Sequence, residues 1–149
     1  MSTSGHLAHL ARRFVGSLST VPPSVQDERW AESHLLAHER SMWRTMSNAD
    51  RRHATQVARR FVDRRPDAPR AEMAGALLHD VGKVACGLGT FGRVAATVVG
   101  PRTDRFRRYH DHERIGADAL AAGGSDACTV ALVRRSGPAA HALDQADDV

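Results

Sequence analysis

The sequence predicts an all-α fold, a compact helical bundle with no β-sheet, and three observations carry that expectation. Apolar residues recur at helical spacing through most of the 149 residues. Clusters of proline, glycine and serine interrupt that pattern at intervals suited to helices. The one β-rich run, residues 91–99, has no second strand to pair with, and an isolated strand is not stable, so it too is read as a helix.

The elements follow in order. Leu7, Leu10, Phe14 and Leu18 mark a first helix over residues 5–18, which Pro22 and Pro23 break. Residues 1–24 thus form an N-terminal helix and linker, and residues 25–149 the main domain. Ser24 can cap a second helix, expected from Val25 to Met46 with Trp30, Leu36 and Trp43 as apolar bulk. Ser47, Asn48 and Asp50 open a third, on which His53, Val57 and Phe61 are spaced i, i+4, i+8 and share the buried face. Pro66 and Pro69 separate it from a helix over residues 70–84. After an Arg-rich connection, residues 102–108, a helix spans residues 112–122 and is stopped by Gly123 and Gly124. Another covers residues 129–135, the Ser136-Gly137-Pro138 turn follows, and a last short helix spans residues 139–147.

Composition narrows the function classes. Hydrophobic content of 42% and 26% charged residues are ordinary for a globular domain, while aromatics at 5% require an aliphatic core. The net charge of +4 comes from arginines on helix faces interspersed with acids, including the pairs at 51–52, 59–60 and 64–65. With few aromatics for stacking, nucleic-acid recognition is not expected. Cys86 and Cys128 lack metal or redox spacing and are expected to be free thiols in a reducing cytoplasm. His6, His9, Arg12 and Arg13 interrupt the N-terminal segment as no signal peptide would be. No run is long enough for a membrane span. The expectation is a cytoplasmic protein with no membrane partner.

The chemistry concentrates at Ala76-Leu77-Leu78-His79-Asp80-Val81-Gly82-Lys83. An imidazole and a carboxylate stand side by side at the end of an apolar run, where such groups are costly unless they satisfy each other or hold a metal. Lys83 is the only lysine; the other twenty basic residues are arginine. It has two readings: a point charge for a phosphate oxygen, or a cation at a helix C-terminus. His34 and His38 are spaced i, i+4 without an accompanying carboxylate motif and are read as helix surface.

His53, His79-Asp80 and an Asp near the end of the sequence form an ordered set, H…HD…D. It resembles the HD superfamily of metal-dependent phosphohydrolases over roughly residues 30–148. His79-Asp80-Val81-Gly82-Lys83 matches the family's HD-hydrophobic-Gly-Lys box. His112-Glu113-Arg114-Ile115-Gly116-Ala117 is similar to its His-x-x-x-Gly-Ala element, and Leu143-Asp144-Gln145-Ala146-Asp147 to its closing segment. The resemblance implies a helical bundle holding one divalent ion (Mn, Fe, Co, Ni, Mg or Zn) through His53, His79, Asp80 and Asp147, with Asp144 competing for the last place. Such a donor set suits a borderline ion with open positions for water. It further implies phosphohydrolase activity on a phosphomonoester or phosphodiester, with a small nucleotide as the expected partner. Asp80 and Lys83 would act in catalysis; His112, Arg51 and Arg114 would bind substrate. Where two-metal branches of the family carry a further histidine, this chain has Val133-Arg134-Arg135-Ser136, so a mononuclear site is expected. The alternative is a catalytically degenerate HD domain that binds a nucleotide or a partner protein in a regulatory role.

Overall fold

The computed structural model describes residues 19–86 and 111–149, together with Ala8, Ala11, Arg12 and Val15, each in helical conformation. The expected first helix otherwise lies outside the described residues, as do the 91–99 segment and the Arg-rich connection. Every regular element among the described residues is a helix: α1 (Val25–Ser33), α2 (Ala37–Thr45), α3 (Asn48–Arg64), α4 (Arg70–Leu77), a 3-10 helix (Val81–Cys86), α5 (His112–Gly123), α6 (Ala127–Val133) and α7 (Ala140–Asp147). None of them is long and apolar enough to cross a membrane.

Two expected helices are shorter than the periodicity suggests. The 25–46 helix is two, broken at residues 34–36. At the end of α1 the Ser33 hydroxyl donates to the Trp30 carbonyl (2.6 Å) and the His34 amide to Ala31 (3.1 Å), a tightened last turn. The Leu36 amide then donates to Glu39 Oε2 (2.8 Å), which starts α2, and Arg70 Nη1 donates to the His34 carbonyl (3.0 Å). A residue of α4 therefore helps to hold the corner, beyond the reach of local periodicity.

The 70–84 helix is α only to Leu77. His79 Nδ1–H donates to the Ala76 carbonyl (2.7 Å), the group that a continued α-helix would offer to the Asp80 amide. The chain then winds as a 3-10 helix, with Lys83 N–H on the Asp80 carbonyl (3.0 Å). This tighter winding lets Gly82 pass directly under the start of α5. A Cβ on Gly82 would lie 1.8 Å from the His112 carbonyl oxygen. Gly116 meets the same stretch one turn along α5, so two backbones pack without side chains between them.

The core is aliphatic, as the composition requires, with Trp43 and Phe61 as its large aromatics beside Leu77, Leu78, Leu120, Leu132 and Leu143, all fully buried or nearly so. Burial of such side chains contributes about 1.5–3 kcal/mol each. It sets α7 against α3, α4 against α3 and α6, and the 3-10 helix against α5. The core also contains Glu39, fully buried. Its Oε1 accepts from the Ser125 hydroxyl (2.8 Å), and its Oε2 accepts from the Leu36 amide and Arg70 Nη1 (3.2 Å). Ser125 Oγ lies 2.8 Å from His38 Nε2, so His38 is part of an internal joint between α2 and the α5–α6 turn, where the sequence reading placed it on a helix surface.

Candidate metal site

Four elements converge on the His-Asp pair. His53 comes from the buried side of α3, His79 and Asp80 from the turn after α4, His112 from the first residue of α5, and Asp147 from the last turn of α7. His53 Nε2 lies 3.0 Å from Asp147 Oδ1, and His79 Nε2 lies 3.8 Å from the same oxygen. The two imidazole rings are 5.8 Å apart and steeply inclined. His53, His79 and Asp147 each offer a donor atom within 4.8 Å of the others, and this cluster could hold a metal ion.

The state of His79 supports that fit. The ring is fully buried, and a carbonyl can only accept, so the contact with Ala76 places a proton on Nδ1. Nε2 is therefore the ring's free valence. It is buried without a hydrogen-bond partner, 3.4 Å from Asp80 Oδ2 and 3.8 Å from Asp147 Oδ1, on the side of the His53–Asp147 pair. A second ring nitrogen fixed on a backbone carbonyl is the usual support of a metal-ligating histidine.

Asp80 lies beside this cluster and is heavily engaged. Its Oδ2 accepts from Lys83 Nζ (2.6 Å) and lies 3.4 Å from His79 Nε2, while Oδ1 is 3.2 Å from His112 Nε2. Burial opposes ionisation of Asp80, but Lys83 and His79 outweigh it and hold the carboxyl well below its ordinary range. For Asp147, burial is likewise outweighed, by the His53 hydrogen bond and the neighbouring His79, and its pKa is lowered. For His79 burial works against the charge, but Asp80 and Asp147 prevail and raise its pKa.

A proton would compete with a metal ion for Nε2. Metal affinity is expected to fall as the pH drops, from a point above the ordinary imidazole value of 6.5, with protons released on binding. Calorimetric titrations in buffers of different ionisation enthalpy read that release. Equal affinity at about pH 8 and about pH 6 would exclude His79 as a ligand.

The remaining sequence candidates stand elsewhere. Arg51 pairs with Glu28 (2.8 Å) and Asn48 on the α1 side of α3. Arg114 is exposed and reaches Asp111 (3.7 Å) and Asp118 (3.5 Å) on its own helix and cap. The structure brings neither to the cluster. Asp144 Oδ1 accepts from Arg135 Nη1 (2.8 Å), so it is Asp147 that joins the two histidines. A groove of about 360 Å³ between α2, the 3-10 helix and α5 is lined largely by apolar groups and by none of the cluster residues.

Arg135 is the residue that sequence reasoning missed. Its Nη2 donates to Asp147 Oδ2 (2.8 Å). No motif marks it: it occupies the stretch notable only for lacking a histidine. The chain matches no family model, no curated protein and no solved structure.

Proposed function

We propose that this chain is a metal-dependent phosphohydrolase of the HD type, acting on a phosphomonoester or phosphodiester, with a small nucleotide as the substrate class. The observation that carries the reading is His79 Nε2, fully buried, without a hydrogen-bond partner and facing His53 and Asp147. A divalent ion held by His53, His79 and Asp147, with Asp80 alongside, would supply an acidified water and polarise a phosphoryl oxygen. Around it, the Ala76 carbonyl fixes the His79 ring, and Lys83 and His112 hold the two oxygens of Asp80. Lys83, whose ammonium pairs with Asp80 at 2.6 Å and whose side chain is 14% exposed, would neutralise a phosphate oxygen at the rim.

One observation favours the second reading, a regulatory domain that binds a nucleotide or a partner protein without turnover. The Lys83 ammonium and the His112 imidazole both face Asp80, where a catalytic site would turn them toward substrate.

Metal content of the purified protein, followed by rates on a panel of nucleotides, separates the two readings. Lys83→Ala is expected to keep the metal and lower turnover about 100-fold. Lys83→Arg should recover little, because a planar fork does not replace a point charge in a tight space. Metal without turnover in the wild type gives the regulatory reading the lead; no metal ends both.

A further inference from the structure

Arg135 is the one non-glycine residue with a left-handed backbone among those described, at φ 57°. It follows the end of α6, where its amide donates to the Leu132 carbonyl (2.9 Å) and the Ser136 amide to Ala131 (2.9 Å). This is the closing position of a helix that glycine usually takes, because a Cβ is strained there. An arginine in that place directs a guanidinium beneath α7, with its side chain only 17% exposed. Nη1 donates to Asp144 Oδ1 and Nη2 to Asp147 Oδ2, both at 2.8 Å, while Nε lies 3.7 Å from Glu113 Oε1 on α5. Asp144 and Asp147 are one turn apart, so a single fork grips the last turn of α7. It takes one oxygen of Asp147 and leaves the other, Oδ1, toward His53 and His79.

From this geometry we infer that Arg135 is a positioning residue for the metal site: it fixes the rotation of the Asp147 carboxylate so that Oδ1 faces the ion. The inference rests on the reading of His53, His79 and Asp147 as metal ligands. Arg135 acts through Asp147, as an outer partner that orients a carboxylate ligand. The last turn of a helix frays easily, and a carboxylate there needs such a hold to present one oxygen reproducibly. Asp144 serves to anchor the fork from its other side.

Cobalt(II) titrations of the whole chain test this, because the visible spectrum of the ion reports its ligands independently of activity. Arg135→Ala and Arg135→Gln are expected to keep their helical circular dichroism, bind Co²⁺ about 10–100-fold more weakly and change its spectrum. Arg135→Lys, which keeps a cation beside Asp147, should fall between, and carries the comparison should the smaller residues fail to fold. Asp144→Asn, which removes the charge but keeps an acceptor oxygen for Nη1 and leaves the Asp147 arm in place, should bind Co²⁺ with the wild-type spectrum and far closer to wild-type affinity than Arg135→Ala. Folded Arg135 variants with wild-type affinity and spectrum overturn the inference while leaving the metal reading intact. An equal loss in Asp144→Asn also overturns it, since pinning α7 would then be the whole effect. A wild type that binds no Co²⁺ removes the metal reading, and the role of Arg135 with it.

Discussion

Asp80→Ala is expected to leave the protein without metal, end any phosphate-ester hydrolysis and lower stability by about 3 kcal/mol, the scale for breaking a buried ion pair. Lys83, His112 and His79 all face this carboxylate, and each loses an acceptor or a compensating charge. A bound ion would lose more than a neighbour. With Asp80 gone, the Lys83 ammonium is no longer neutralised by it and adds repulsion beside the site. The two imidazoles and Asp147 would then hold a divalent ion only weakly. Asp80→Asn, which keeps the shape and an acceptor oxygen, should recover part of the stability and none of the metal. Elemental analysis and urea melts of both variants read the two effects separately. Full metal occupancy in Asp80→Ala would restrict the site to His53, His79 and Asp147.

Gly82→Ala is expected to destabilise by about 3 kcal/mol, the upper end for overpacking, and to disturb the site from behind. The added Cβ would stand 1.8 Å from the His112 carbonyl oxygen and 2.9 Å from the Gly116 nitrogen, both backbone atoms that no rotamer change can move. The 3-10 helix and α5 must therefore part, and the Asp80–His112 contact spans that same seam. Gly124→Ala provides the contrast. Gly124 has φ 91° but open space around it, so the change costs only backbone strain, about 1–2 kcal/mol. Denaturation midpoints of the two variants compare these causes. A Gly82→Ala protein as stable as Gly124→Ala would show that the seam yields easily.

Much of this was legible in the chain, and the division follows the range of each interaction. Helix α3 announces itself through Ser47, whose hydroxyl accepts from the Asp50 amide (3.1 Å), and through the i, i+4, i+8 spacing of His53, Val57 and Phe61. Both signals are local, so a sequence carries them. The same holds for α7 and for the stop after α5, where Gly124 takes the left-handed conformation that a Cβ disfavours. Residues 25–46 misled because periodicity cannot register a corner held by Glu39 and by Arg70 from another helix.

The chemistry divides in the same way. By itself the sequence determined the helical class seen throughout the described residues and the adjacency of His79 and Asp80, because a dipeptide and a hydrophobic period require no knowledge of the fold. Only the tertiary structure decided that His53 and Asp147, 94 residues apart, come within 3.0 Å, and that Arg114 stays on its own helix face. It alone decided that the Lys83 ammonium rests on Asp80 and that Arg135 grips Asp147. The His53–Asp147 and Arg135–Asp147 contacts depend on where a helix end arrives after the core has closed, and packing between distant elements sets that position.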